Sequence, residues 1–254
     1  MMKFYKYEAS GNDFILIENL SDYKNDEIKD LARKMCDRHF GIGADGLLIL
    51  YNTQYKNYLR IINADGSEAS MCGNGLRCCA YHIIKEGYID NNFTINTLSG
   101  EKRIIVDDNN ISIDLGRPYI VKNVNDIFHS LHYSLINVGN LHAVVEVNDV
   151  RDLDINELVK KNFKIDQYNV TFVSLGAKKD TINVRVYERG VGETLACGSG
   201  SVAAYFYLRK QNKVGRMCNV NLLGGSVVVS EGNNQEIILK GNANLVFKGE
   251  YLNE

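Results

Sequence analysis

Residues 68–75 read EASMCGNG, and residues 193–200 read ETLACGSG. Each stretch sets a glutamate four positions before a cysteine and follows that cysteine with Gly-x-Gly. Glu68 precedes Cys72 in this way and Glu193 precedes Cys197, at an offset of 125 residues. Another pair of landmarks recurs at nearly the same interval. Gly11-Asn12 and Gly139-Asn140 each stand directly before a short apolar strand that ends in glutamate, at Glu18 and Glu146, with an offset of 128. Two matched landmarks in one order indicate a duplicated unit rather than two unrelated glycine turns.

The segments beyond each cysteine read as helices. Leu76, Cys79, Ala80, Ile83 and Ile84 fall on one helical face, and Gly87 supplies a stop. Val202 to Leu208 is apolar almost all round apart from tyrosine hydroxyls, the pattern of a buried central helix. Arg209, Lys210 and Lys213 follow it and suit the negative end of its dipole. Asn25 and Asp154 are the expected caps of two further helices, carrying Ile28, Leu31, Ala32 and Met35 in one and Ile155, Leu158 and Val159 in the other. Runs 59–62, 104–106, 111–114, 182–187 and 227–229 are rich in β-branched residues and bounded by Gly, Asn and Asp, so they predict strands. The single proline, in Gly116-Arg117-Pro118, marks the expected boundary. Residues 1–116 then form a half carrying Cys72, and 117–254 a half carrying Cys197, with the last strand able to pack back on the first half. The expected class is α+β, each half a set of strands wrapped on a central helix, with the active site between the halves.

Composition bounds the function. Hydrophobic residues at 45% and charged residues at 24% fit a globular domain, and a net charge of −2 offers no polycationic surface for nucleic acid. The longest apolar run near the N-terminus, Phe14 to Ile17, is too short for a signal-peptide core or a membrane span, so the expected location is cytoplasmic. In that reducing setting the six cysteines are not expected to form structural disulfides. No pair has C-x₂-C spacing and the histidines do not cluster with the cysteines, so no metal site is expected.

A lone cysteine in a glycine turn is ordinarily a small buried packing group. That reading suits Cys36, Cys78, Cys79 and Cys218. Cys72 and Cys197 differ, because each directly precedes a helix. Backbone N–H groups and the positive end of the helix dipole favour a thiolate there. Glycines flanking Asn74 and Ser199 leave room for a ligand to reach the backbone, and two such helix ends would cradle a carboxylate. Two thiols flanking one α-carbon permit inversion: a thiolate removes the proton from one face and a thiol returns one to the other. The pair would share about one proton.

At these residues the chain resembles diaminopimelate epimerases. Asn63-Ala64-Asp65-Gly66-Ser67-Glu68 with Cys72-Gly73-Asn74-Gly75 resembles the family's first signature, and Glu188 to Gly200 its second. Gly11-Asn12-Asp13-Phe14 and Gly139-Asn140-Leu141-His142 match two further landmarks. The resemblance implies two pseudo-symmetric halves, each a strongly curved, mostly antiparallel sheet around a central helix. It also implies an enzyme independent of pyridoxal and other cofactors that converts LL- to meso-diaminopimelate for lysine and peptidoglycan precursors, with a homodimer as its assembly. Carried over, Cys72 and Cys197 are the acid–base pair. Amides of Gly73, Asn74, Gly198 and Ser199 hold the reacting carboxylate. Asn12, Asn63, Asn140, Asn169, Glu188 and Arg189 line the pocket, and His142, with Glu188, supports the acid–base chemistry. Glu188 beside Arg189 suits the zwitterionic head at the far end of diaminopimelate, since an Arg fork bonds both carboxylate oxygens.

Two positions depart from the family pattern. Leu141 stands where many members have proline, and Gly46 where some have a glutamine that touches substrate, so that contact is absent or replaced. The alternatives are a two-thiol relative acting on histidine or lanthionine, a non-catalytic binding module, and a thiol–disulfide redox protein. The missing C-x-x-C motif counts against the last.

Overall fold

The computed structural model describes residues 1–52, 57–126, 131–163 and 167–252. The chain divides into two compact units, one of residues 1–113 with 241–254 and one of residues 114–240. The first unit contains β1 (Met2–Ala9), β2 (Asn12–Glu18), α1 (Asn25–Cys36), β3 (Gly46–Asn52), β4 (Asn57–Asn63), β5 (Glu68–Ala69), α2 (Gly73–Lys85), β6 (Asn92–Thr97), β7 (Gly100–Asp107) and β8 (Asn110–Asp114). The second contains β9 (Tyr119–Asp126), β10 (Leu131–Asn137), β11 (Leu141–Glu146), α3 (Ile155–Asn162), β12 (Asn169–Leu175), β13 (Thr181–Glu188), β14 (Gly192–Thr194), α4 (Gly198–Lys210), β15 (Met217–Leu222), β16 (Gly225–Glu231) and β17 (Ile237–Gly241). The closing strand, β18 (Asn244–Tyr251), belongs to the first unit.

The two units repeat one pairing scheme. In the first, β1 runs antiparallel to both β18 and β2, β2 and β3 are parallel, and β3–β4 and β4–β5 are antiparallel. A parallel β4–β6 pair then leads into the antiparallel β6–β7–β8 meander. In the second, β10 runs antiparallel to β9 and β11, β11 and β12 are parallel, and β12–β13 and β13–β14 are antiparallel. A parallel β13–β15 pair leads into β15–β16–β17. Thus β9 serves the second unit as β18 serves the first. Each sheet is mixed but mostly antiparallel, and the strands expected from the sequence all lie within these elements.

One helix packs across the strands of each unit. Helix α2 packs on β18, β1, β2, β3, β4 and β7, and α4 packs on β10, β11, β12, β13, β15 and β16. Val202, Ala203, Ala204, Tyr205 and Leu208 are buried, which explains the apolar run. Each buried Val or Leu is worth about 1.5–3 kcal/mol. The helices also end alike. Gly87 (φ +73°) donates to Ile84 O and Tyr88 to Ile83 O; Asn212 (φ +58°) donates to Arg209 O and Lys213 to Leu208 O. This is the Schellman closure, which requires a left-handed residue. Lys213 itself pairs with Glu146 on β11.

The outer helices carry the smaller cores. Ile28, Leu31, Ala32, Met35 and Cys36 of α1 pack with Ile15, Ile17, Leu47, Ile49 and Ile62. Asp154 caps α3 by accepting the Glu157 N–H. Asn25 does not cap α1: the helix begins one residue earlier than expected, at a Lys24 cap. The Glu27 carboxylate closes the first turn by accepting the Lys24 N–H at 2.7 Å, and an acidic residue is favoured at that end of the dipole. Among the described residues no helix is long and apolar enough to cross a membrane.

Candidate active site

Each of the two motif cysteines is the N-cap of its unit's central helix. Cys72 holds extended backbone (φ −143°, ψ 117°) and Cys197 nearly the same (φ −130°, ψ 113°). In both, the sulfur accepts a hydrogen bond from the N–H three residues on, Gly75 or Gly200, at 3.4 Å. A cap of this kind normally uses a serine or aspartate oxygen. Here a thiol takes the oxygen's place, where amide dipoles favour its ionised form. The other four cysteines are buried inside the units. Burial pushes the Cys36 thiol up to about 12 and that of Cys218 up to about 11, and raises Cys78 and Cys79 as well.

The second glycine after each cysteine lies against the sheet. A Cβ on Gly75 would meet Leu48 Cδ2 at 3.0 Å, and one on Gly200 would meet Val186 Cγ2 at 2.7 Å. Gly75 and Gly200 therefore let the helix start press onto β3 and β13.

The motif glutamates are structural clasps. Glu68 forms a two-pronged ion pair with Arg60 at 2.8 and 2.9 Å, and Glu193 with Arg185 at 2.6 and 3.0 Å. All four side chains are mostly buried. Each clasp ties the short strand before the cysteine (β5 or β14) to its neighbour (β4 or β13). Arg60 and Arg185 repeat at the same offset as the cysteines, a signal already present in the sequence.

Around Cys72 the first unit assembles amides and a closed charge cluster. Asn12 follows the left-handed turn Ser10-Gly11 (φ +55° and +80°). Its Oδ1 accepts from Asn74 Nδ2 at 3.0 Å and faces the Cys72 sulfur at 3.9 Å, while its Nδ2 donates to Asp45 at 2.6 Å. Arg38 bridges Asp45 and Asp13 at 2.7 and 2.8 Å, and Lys6 pairs with Asp13 at 2.7 Å. Burial would raise the Asp13 carboxyl, but hydrogen bonds and charge from Arg38 and Lys6 outweigh it and hold it at about 2. Asn63, exposed at the end of β4, donates to Ser67 Oγ at 2.9 Å. Gly46 sits opposite Asn63 and beside Phe14, where a Cβ would lie 2.9 Å from the Ile62 carbonyl. No side chain fits there without a backbone shift.

Around Cys197 the second unit builds a hydrogen-bonded chain. The sulfur lies 3.4 Å from Ser199 Oγ, which lies 2.9 Å from His142 Nε2; His142 Nδ1 lies 2.9 Å from Thr171 Oγ1. The proton positions follow from Asn169. Its Oδ1 accepts the Arg189 backbone N–H at 2.8 Å, so its Nδ2 is the group facing His142 Nε2 at 3.4 Å. Nε2 is therefore an acceptor, and Nδ1 carries the proton and donates to Thr171. Ser199 then donates to Nε2 and accepts from Asn140 Nδ2 at 3.3 Å. Burial pushes His142 down to about 3, so the ring is neutral at neutral pH. Thr171 and the Ser199 hydroxyl were not foreseen as parts of this chain.

Asn140, Asn169, His142, Ser199 and Cys197 thus share one network, and Asn12, Asn74 and Cys72 another. Glu188, half-buried at the end of β13, accepts from Thr194 Oγ1 at 2.7 Å. Arg189 is exposed and is tied to the network through its backbone. Gly73, Asn74, Gly198 and Ser199 form the first turns of α2 and α4, ahead of the first helical bonds from Leu76 to Cys72 O and Ser201 to Cys197 O.

The sequence model of the family described as Diaminopimelate epimerase matches residues 4–121 and 134–246. The chain belongs to the diaminopimelate epimerase family. It is 38% identical over 283 residues to the diaminopimelate epimerase of Rippkaea orientalis, covering 98% of this chain and 99% of the relative. It is 33% identical over 273 residues to that of Carboxydothermus hydrogenoformans, with the same coverage. Solved structures share the fold at low identity. A Bacillus anthracis phenazine biosynthesis protein of the PhzF family superposes with a TM-score of 0.77 at 18% identity, covering 99% of each chain. A probable proline racemase from Agrobacterium radiobacter gives 0.74 at 12% identity, covering 100% of this chain and 94% of that one.

Proposed function

We propose that this family member epimerises LL-diaminopimelate to meso-diaminopimelate without a cofactor, with Cys72 and Cys197 acting on opposite faces of one α-carbon. The observation that carries the reading is the doubled N-cap thiol: two cysteines in one backbone conformation, each bonded to the amide three residues on. A thiolate takes the α-proton, leaving a carbanion whose charge spreads into the carboxylate. The other thiol delivers its proton to the opposite face, and the two sulfurs exchange protonation states. First-turn amides of Gly73, Asn74, Gly198 and Ser199 stabilise the charge developing on the carboxylate.

In this reading Asn12, Asn63, Asn140 and Asn169 orient the amino-acid heads, and Glu188 and Arg189 meet the ammonium and carboxylate of the distal head. The exposed Arg189 side chain has the freedom to close on that carboxylate. Glu188 and His142 assist proton transfer, His142 acting through the Ser199 hydroxyl. The division expected at residue 116 gives each half one thiol. A cytoplasmic location, where thiols stay reduced, and a homodimer complete the proposal.

Epimerisation rates on LL-diaminopimelate, histidine, glutamate and lanthionine test it. Diaminopimelate should be preferred by orders of magnitude, because a substrate without the distal head leaves polar groups unpaired. A preference for histidine, glutamate or lanthionine would overturn the assignment.

A further inference from the structure

The repeat breaks at one buried position. Five residues after each N-cap cysteine, α4 carries Val202 and α2 carries Arg77. Both are 0% exposed. Valine at such a site needs no explanation. A guanidinium does, because a buried charge is normally met by an opposite one.

Arg77 has no such partner in the conventional sense. Its Nε donates to the Asn242 carbonyl at 3.0 Å and its Nη2 to Ser10 Oγ at 3.2 Å. Its Nη1 is buried with no hydrogen-bond partner, and among the described residues no carboxylate forms an ion pair with it. The titratable groups whose charge reaches it are Cys78 on its own helix, Cys72 at the start of that helix, and Glu8 on β1. Cys78 is wholly enclosed and stays a thiol. Glu8 accepts from the Gly11 N–H at 3.1 Å and from Asn244, and its charge acts on Arg77 less strongly than that of Cys72. The acidic groups near Asn12 are neutralised within their own cluster, Asp13 by Lys6 and Arg38, and Asp45 by Arg38. The turn before β18 contributes the Asn242 carbonyl, while the Asn244 amide on β18 holds Glu8. Of the two groups left to supply a negative charge, Cys72 is the stronger and Glu8 the weaker.

We propose that Arg77 is a positioning residue that fixes Cys72 as the resting thiolate and leaves Cys197 as the resting thiol. It does so in two ways. Its positive charge, unscreened by water, is offset by ionisation of Cys72. Its bond to Ser10 also pins the Ser10-Gly11 turn that brings Asn12 to the Cys72 sulfur. The second unit has the opposite bias: with Val202 in place of the cation and a neutral His142 behind Ser199, Cys197 keeps its proton. A two-thiol inversion needs unlike protonation states, and this difference in charge sets which is which. The inference rests on the epimerase reading for its purpose but not for its test.

The test is iodoacetamide labelling of the full-length chain across pH without substrate, with Cys72 and Cys197 peptides quantified by mass spectrometry. In the wild type the midpoint for Cys72 should lie below that for Cys197. Arg77→Met and Arg77→Gln remove the charge and should raise the Cys72 midpoint, lowering its thiolate fraction near pH 7 about tenfold, as one pKa unit does. The Cys197 midpoint should stay in place. Arg77→Lys keeps the charge and should keep the Cys72 midpoint. If the methionine variant does not fold, the glutamine and lysine variants carry the comparison, and the order of the two wild-type midpoints is a test that needs no variant. A wild-type Cys72 midpoint at or above that of Cys197 would overturn the proposal. So would a Cys72 midpoint unmoved by loss of the charge, the result expected if Glu8 is the true counter-charge. Because labelling involves no epimerisation, its failure leaves the proposed reaction standing, whereas normal labelling without epimerisation would refute the reaction alone.

Discussion

Replacing His142 by asparagine should make the protein's stability less sensitive to acid. In the native state burial holds His142 at about 3, whereas an unfolded histidine titrates near 6.5. Between those values the unfolded chain binds a proton that the native chain refuses. Stability from this group is therefore full above about pH 6.5 and is lost as pH falls toward 3. At pH 4 the wild type has lost about 3 kcal/mol on this account relative to pH 7, a large share of the ~5–15 kcal/mol typical of a native protein. The asparagine variant carries no such proton. Asp13, held at about 2, loses its own contribution further down the acid range, and it does so equally in both proteins. Urea denaturation followed by circular dichroism at pH 7 and pH 4 measures the gap between wild type and variant. That gap should change by about 3 kcal/mol in the variant's favour on acidification. A gap of the same size at both pH values would refute the neutral, buried imidazole on which the Cys197–Ser199–His142 chain depends.

Other consequences follow from the same contacts. Ser199→Ala removes the hydroxyl between Cys197 and His142 and should lower kcat about 100-fold, measured by a coupled epimerisation assay; a loss under twofold would remove Ser199 from the proton path. Gly200→Ala places a methyl 2.7 Å from Val186 Cγ2. It should cost about 1–3 kcal/mol and lower the Tm, and Val186→Ala in the same chain should recover part of that loss. Glu193→Gln strands the Arg185 guanidinium and should destabilise the chain by about 3 kcal/mol, with Glu68→Gln doing the same through Arg60. Denaturation midpoints no lower than the wild type's would show the clasps to be energetically idle.

The repeat was legible because the second copy keeps the spacing of Glu, Cys and Gly that the local backbone requires. An N-cap thiol and an apolar helix are local features, so the sequence around Cys72 and Cys197 was enough to predict them. The clasp arginines were equally available, at one offset, but an arginine on a strand points to no partner until strand pairing is known. The same limit hid Thr171 and Asp45. Thr171 meets His142 only because β11 and β12 are parallel neighbours, and Asp45 meets Asn12 only because β3 lies beside β2. The packing of Gly75 on Leu48 and of Gly200 on Val186 is likewise set by distant strands, and nothing in the local sequence reveals it. Asn25 misled because a good capping side chain was adjacent to a Glu27 that closes the turn from the other direction. Arg77 lies beside the apolar face of its helix, and its burial is a property of the sheet that encloses it.

The central claim is that two thiols, one from each unit, handle opposite faces of the same carbon. Exchange of the substrate α-proton in deuterated water measures this directly. The wild type should invert LL-diaminopimelate while incorporating solvent deuterium at the inverted centre. Cys72→Ala and Cys197→Ala should each abolish inversion. If either variant inverts the substrate at the wild-type rate, the two-thiol account is wrong.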